Sequence, residues 1–320
     1  MIDLKKAAQL LTDADNILII SHRRPDGDTL GSAFALKEAL IYLGKNACVA
    51  CSTKISKKYL MLTEGKEELL PEFDPDFIVS VDVASKMMFG DELSPYSDKV
   101  DLCIDHHPTN KQYAVHNIIL ADSASTGEII FNLLKEMNIP MNKIIANALY
   151  TAVITDTGCF RYSNTNSNTF RIAAELYDIG AQAFELTRHM LETSTKEAIA
   201  IMRLVLDNLN FYADGKIAVI VITSEMINST AASEDDVEAL TILPRNIEGV
   251  EVGLAIRQLE GNEFKVSARS NGKADVSYLC SQFGGGGHVK AAGCSINGSA
   301  KDAEMMMVAK TLDYFKECGI

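Results

Sequence analysis

The sequence predicts an α/β protein with an N-terminal, largely parallel sheet flanked by helices, a helical connector, and a smaller C-terminal α/β domain. Three observations carry this. The chain has 320 residues, more than a single hydrophobic core usually organises. In the first half, short apolar runs alternate with longer helical patterns, and the runs are apolar rather than strictly alternating with polar residues, as in strands of a parallel sheet covered by helices. A stretch without Gly or Pro then separates this region from a second group of strands. The expected boundaries are 1–183, 184–213 and 214–320.

Taken in order, residues 16–22 (NILIISH) form a strand. A helix follows over about 28–43, with Leu30, Phe34, Leu36, Leu40 and Leu43 on one apolar face. Residues 47–51 (ACVAC), 77–82 (FIVSVD) and 100–107 (VDLCIDHH) continue the sheet. Helical patterns cover 125–137, 143–156 and 169–180, the last stopped by Gly180. Residues 184–209 read as one long helix ending at the Ala-Asp-Gly turn, 213–215. Strands are expected at 216–223, 251–260 and 263–270, the last after a Gly-Asn hairpin signal. Helices close the chain at 276–283 and 300–317, where Met305, Met306 and Met307 serve as packing.

Composition narrows the function. Lys and Arg total 30 against 43 Asp and Glu, a net charge of −13, which opposes wrapping of long duplex DNA. Hydrophobic residues at 47% with 23% charged exclude intrinsic disorder. No apolar run reaches transmembrane length, and Thr12, Asp13, Asp15 and Asn16 break up the N-terminal segment, which reads as mature sequence. Membrane association is therefore not expected. Seven cysteines without framework spacing fit reduced thiols in a cytoplasm. Cys48 and Cys51 form a C-x-x-C, but inside an apolar strand run and without a second pair, so they read as buried side chains.

Four groups of acids and imidazoles fall at or just beyond the C-terminal ends of apolar elements: His22 with Asp26 and Asp28, Asp82, Asp105-His106-His107, and Asp156. That edge of an open α/β sheet is where ligand sites form. Converging carboxylates repel one another and shift upward in pKa unless cations neutralise them. Mixed Asp and His ligands without Cys suit an ion such as Mn²⁺. Alone, each residue has a plainer reading: Asp28 could simply cap the helix that begins beside it. Their coincidence in one region outweighs it. Two metals about 3.5–4 Å apart are the usual arrangement for phosphoester hydrolysis, and Asp82, alone between the other groups, is the economical bridging ligand.

The second domain contains FGGGGHVKAAG (283–293). Four glycines before His288, with a small-residue helix start at Ala291, Ala292 and Gly293, would let backbone N–H groups approach an anion. Arg269 adds a planar donor fork for phosphate. On an acidic protein such local groups favour small nucleotides over polymers.

The order SHRRPDGDTLGS, VSVDVAS, DHHPTN and ITDTGCFRYSNT resembles the motifs of the DHH phosphoesterase superfamily, and RSNGKADVSYLCSQFGGGGHVKAAG resembles its associated C-terminal substrate-binding domain. Within that superfamily the chain is most similar to the bifunctional oligoribonuclease and pAp phosphatase, or nanoRNase, type. The resemblance implies two divalent cations, Mn²⁺ by expectation: one held by His22, Asp26 and Asp82, the other by Asp28, Asp82, His106 and Asp156. It implies that His107 faces the scissile phosphate, that Asp105 orients the histidines, and that Arg269, Gly286, Gly287 and His288 bind substrate, with Arg161 as a further phosphate contact. Thr29 stands where the family usually has Ala, adding a hydroxyl beside the site.

The implied activity is hydrolysis of short RNA oligonucleotides to mononucleotides and dephosphorylation of 3′-phosphoadenosine 5′-phosphate, with a homodimer as the implied assembly. The competing readings are a phosphodiesterase for linear or cyclic dinucleotides (pApA, pGpG, cyclic di-AMP) and a non-catalytic nucleotide-binding regulator.

Overall fold

Ile17–Ile20 (β1) is a run of four fully buried aliphatic residues, and it becomes an interior strand of a sheet with neighbours on both sides. The computed structural model describes residues 1–320, which divide into two units, Met1–Thr193 and Ser194–Ile320. In the first unit β1 pairs with β2 (Ala47–Ala50) and β3 (Phe77–Val81); β4 (Leu102–Asp105) and β5 (His116–Ile119) complete the order β2-β1-β3-β4-β5. Every pairing is parallel. The expected parallel sheet is present; β5, too short and polar at His116 and Asn117 to stand out as an apolar run, was not anticipated.

Helices α1 (Leu4–Asp13), α2 (Gly27–Tyr42), α3 (Thr126–Glu136), α4 (Lys143–Asp156) and α5 (Ser167–Ile179) surround the sheet. The single apolar face expected of α2 understates its burial, because every residue from Gly27 through Leu36 is buried. The reason is close packing against α4. A Cβ at Gly31 would intrude on the Ala148 carbonyl oxygen and lie 3.1 Å from the Ala152 Cβ, and one at Gly27 would strike the Thr155 side chain. Those contacts make the two helices antiparallel neighbours, so the start of α2 meets the end of α4.

The expected continuous helix over 184–209 is interrupted. It consists of α6 (Ala183–Thr187), a π turn over Arg188–Glu192, and α7 (Lys196–Leu206), which begins afresh where the Thr195 side chain accepts from the Ala198 N–H. Burial explains the split: Leu186 and Met190 belong to the core of the first unit, whereas Ile201 and Val205 pack with Ile220, Ile222, Val237 and Leu240 of the second.

The second unit contains β6 (Asn210–Tyr212), β7 (Ile217–Ile222), α8 (Ser224–Thr230), α9 (Glu234–Leu240), β8 (Val252–Gln258), β9 (Glu263–Ser270), α10 (Val276–Ser281), β10 (Gly286–His288), β11 (Ala291–Asn297) and α11 (Ala300–Cys318). Its six-stranded sheet is mixed, ordered β10-β11-β9-β8-β7-β6, with only β7 and β8 parallel. The helix start expected at Ala291 is instead strand β11, paired with β10 as a hairpin. The glycines permit that pairing: a Cβ at Gly287 would sit 2.5 Å from the Ala291 oxygen and 2.6 Å from the Ala292 Cα. No helix is long and apolar enough to cross a membrane.

Candidate metal centre

The C-terminal edge of the parallel sheet collects the acids and imidazoles. His22 follows β1, Asp82 follows β3, Asp105 ends β4 with His106 and His107 after it, and Asp156 is the last residue of α4. Asp26 is the N-cap of α2, its Oδ1 accepting from the N–H groups of Asp28 and Thr29, both 3.0 Å away. The capping role considered for Asp28 therefore falls to Asp26. Asp28, fully buried, is free to face the site.

Asp82 stands in the middle, and its two carboxylate oxygens divide between two groups. Oδ2 lies 3.6 Å from His22 Nε2, which is itself 3.7 Å from Asp26 Oδ2. Oδ1 lies 3.7 Å from His106 Nε2 and 3.5 Å from His107 Nδ1. His106 Nε2 is in turn 3.9 Å from Asp28 Oδ2 and 3.7 Å from Asp156 Oδ2. Three sets of ligand atoms, each within 4.8 Å of one another, result: His22-Asp26-Asp82, Asp28-His106-Asp156 and Asp82-His106-His107. All six residues expected as metal ligands are thus brought together.

The donor chemistry fits divalent cations. Burial, together with the charges of Asp82, Asp156 and Asp26, pushes the Asp28 carboxyl well above its usual range. Asp156 is pushed up to about 6, chiefly by burial, with His106 working the other way and Asp82 adding repulsion. Burial opposes charge on His22, yet Asp26 and Asp82 outweigh it and raise the imidazole to about 10. Carboxylates crowded together in a buried site beside imidazole nitrogens offer the mixed oxygen and nitrogen donors that divalent cations take, and cations there would relieve the repulsion between them.

Neighbouring groups aim the ring nitrogens. His106 Nδ1 is 3.2 Å from the Ser123 carbonyl, which turns Nε2 toward the acids. His107 Nδ1 is 2.7 Å from Asp105 Oδ1, so its outward nitrogen is Nε2, on a side chain 40% exposed. That same Asp105 oxygen accepts from the backbone N–H of His106 (2.8 Å) and His107 (3.2 Å), while Oδ2 accepts from Asn110 Nδ2 at 2.6 Å. The Asp105 hydrogen bond is the main cause of a His107 imidazole raised to about 9.

Further residues hold this shell and were not singled out from the sequence. The N-terminus of α3 gives its Thr126 and Gly127 N–H groups to the two oxygens of Asp28, at 2.8 and 2.9 Å. Asn164 Nδ2 reaches Asp156 Oδ2 at 3.3 Å and the Ala124 carbonyl at 2.9 Å. The sequence signals were the Ser125-Thr126-Gly127 helix start, which says nothing of what it faces, and the place of Asn164 within ITDTGCFRYSNT. Cys48 and Cys51 are buried free thiols, as expected, with Cys51 Sγ donating to the His22 carbonyl at 3.4 Å.

In the second unit, Ala291 pairs with His288 on one side and Arg269 on the other. The three residues occupy one row across adjacent strands and share a face. The opposite face carries Ala268 and Ala292 into the core. Arg269 is half-buried, and burial pulls its guanidinium below the usual value. His288, Gly286 and Gly287 are exposed on the outer strand. Arg161, in the first unit, is exposed after the left-handed turn at Gly158, Cys159 and Phe160, its Nε donating to the Gly158 carbonyl.

Residues 16–153 match the model of the DHH family, N-terminal domain, and residues 214–317 that of the DHHA1 domain. The chain is similar to the bifunctional oligoribonuclease and PAP phosphatase of Thermus thermophilus, 30% identical over 284 residues, covering 88% of this chain and 84% of that protein. The Bacillus subtilis protein of the same description is 26% identical over 288 residues, covering 88% and 90%. Among solved structures, an exopolyphosphatase-related protein from Bacteroides fragilis matches with a TM-score of 0.88 and 26% identity, over 98% of this chain and 97% of that one.

Proposed function

We propose, from the premise that this chain belongs to the DHH family and carries a DHHA1 domain, that it is a divalent-cation-dependent phosphohydrolase. Its substrates are short oligoribonucleotides, cleaved to mononucleotides, and 3′-phosphoadenosine 5′-phosphate, which loses its 3′-phosphate. The observation that carries this reading is the Asp82 carboxylate shared between two imidazole and carboxylate groups. His22, Asp26 and Asp82 would hold one cation, and Asp28, Asp82, His106 and Asp156 the other, with Mn²⁺ the expected ion. Such a pair neutralises charge on a phosphoryl group and promotes deprotonation of an attacking water.

The residues around the pair have separable tasks. His107 would be held by Asp105 with its Nε2 turned outward, where a protonated ring can donate to a phosphoryl oxygen or to the departing oxygen. Asp105 orients both histidines through the three hydrogen bonds it accepts from them. Arg269 and His288, two strands apart on one face, would bind the substrate's nucleotide or terminal phosphate. Gly286 and Gly287 would add backbone contacts from an edge strand, and Arg161 a further phosphate contact. The net charge of −13 favours small substrates over long DNA, and seven free thiols suit a reducing cytoplasm.

The test uses the full chain with Mn²⁺ against labelled di- to pentaribonucleotides, 3′-phosphoadenosine 5′-phosphate, and linear and cyclic dinucleotides. Turnover of the first two classes, abolished in Asp82→Ala, is expected. No hydrolysis of any substrate, with Asp82→Ala indistinguishable from wild type, refutes the reading; preferential turnover of cyclic dinucleotides would reassign the substrate. Sedimentation of the same preparation tests for the expected homodimer.

A further inference from the structure

Asp82 is an anomaly in its own strand. It has φ +61°, in the left-handed region that side chains other than Gly rarely occupy, immediately after the regular strand β3. Its N–H still donates to the Ile104 carbonyl at 2.9 Å, so the chain leaves the sheet ladder at this residue. Strained conformations persist only where the surroundings over-determine them. Here the surroundings are identifiable. On the preceding peptide, the buried Thr29 hydroxyl of α2 donates to the Val81 carbonyl at 2.9 Å. On the following residue, the Val83 carbonyl accepts from Tyr113 Oη at 3.0 Å and Asn110 Nδ2 at 3.2 Å. On the side chain itself, the buried Thr126 hydroxyl of α3 donates to Oδ1 at 2.9 Å.

We propose that Thr126 and Thr29 are positioning residues that preset Asp82 as a bridging carboxylate, Thr126 by holding Oδ1 and Thr29 by holding the backbone just before it. The inference rests on the two-cation reading above. The Thr126 hydroxyl hydrogen occupies one lone-pair direction of Oδ1, which fixes the rotation of the carboxylate plane and leaves the other lone pair toward His106. Oδ2, with no such donor, faces His22. Without the hydroxyl, a carboxylate that is 2% exposed keeps its burial but loses the contact that orients it. Thr29 acts at one remove, through the Val81–Asp82 peptide.

The experiment is calorimetric titration of the metal-free full chain with Mn²⁺, in wild type, Thr126→Val, Thr126→Ser and Thr29→Val, alongside thermal unfolding of each metal-free protein. Thr126→Val is expected to weaken binding by roughly 10- to 100-fold, the usual range for outer partners of metal ligands. Thr126→Ser, which keeps the hydroxyl, should restore it, and Thr29→Val should show a smaller loss. If Thr126→Val does not fold, Thr126→Ala, which adds no buried methyl against Asp82, carries the same expectation. Wild-type affinity in the variant lacking the Thr126 hydroxyl, or failure of Thr126→Ser to restore it, overturns the inference. A wild-type chain that binds no cation would instead overturn the two-cation reading, so the two failures are distinguishable.

Discussion

Replacing Gly31 by Ala would test whether the closeness of α2 and α4 is what assembles the acidic site. The added Cβ would intrude on the Ala148 carbonyl oxygen, a backbone atom that cannot swing aside, and would lie 3.1 Å from both the Ala152 Cβ and its amide nitrogen. Restoring ordinary contact at about 3.5 Å requires the helices to part by roughly 1 Å. Overpacking of this kind costs about 1–3 kcal/mol, against a gain of about 0.5–1 kcal/mol from removing a helical glycine. A net destabilisation of up to about 2.5 kcal/mol lowers the melting temperature of a unit the size of Met1–Thr193 by up to roughly 10 °C. The same separation moves Asp28, at the start of α2, away from Asp156, at the end of α4, so Mn²⁺ binding should weaken along with stability. The assay is thermal unfolding by circular dichroism with and without Mn²⁺, paired with calorimetric titration. A melting temperature at or above wild type, with unchanged Mn²⁺ affinity, would show that the helices are not held at contact distance and refute the reasoning.

Other expectations follow from the same geometry. The metal-free protein holds His22 protonated up to about pH 10, whereas an unfolded imidazole loses its proton near 6.5; that stabilisation is complete below pH 6.5 and disappears as pH rises through about 10. Mn²⁺ must displace the proton, so at pH 7–8 binding should release protons and tighten with rising pH; titrations giving the same heat in buffers of different ionisation enthalpy would contradict this. Asp105→Asn, which preserves shape but disturbs the acceptor shared by His106 and His107, should lower kcat by roughly 10- to 100-fold while leaving two cations bound. Steady-state kinetics with unchanged kcat would remove Asp105 from its orienting role. Gly287→Ala adds a side chain at φ +149°, 2.5 Å from the Ala291 oxygen. It should raise KM by roughly tenfold, about 1.4 kcal/mol, with no change in Mn²⁺ affinity; an unaltered KM would exclude the hairpin from substrate binding.

The fold of the first unit was legible because its strands are buried on both faces. Such strands are mostly apolar: β1 and β2 carry no charged or hydroxyl side chain, and β3 and β4 break the pattern only at Ser80 and at the terminal Asp105. The residues expected as metal ligands were legible for a related reason: acids and histidines placed where apolar runs end have few structural uses in such number. The 184–209 stretch misled because helical periodicity records that residues are buried, not which core buries them. Leu186 and Ile201 look alike in sequence and serve different cores. The helix start expected at Ala291 misled because small residues suit a strand as well as a helix, and pairing with β10 made the segment β11.

By itself, then, the sequence determined the first four strands of the parallel sheet, the helices α2 to α5 of the first unit, and which side chains are too polar to be there for packing. Those are local properties, written in the spacing of apolar residues and the chemistry of the exceptions. Only the tertiary structure decided that Asp82 divides its oxygens between two groups, that Thr126 holds one of them, that α2 lies against α4 at Gly31, and that Asp28 and Asp156 come within 3.9 and 3.7 Å of His106 Nε2. Each of these joins residues far apart in the chain, and a hydroxyl or a missing Cβ carries no mark of the partner it will meet. The physical reason is that direction and distance at ångström scale arise from packing, which depends on all the elements at once.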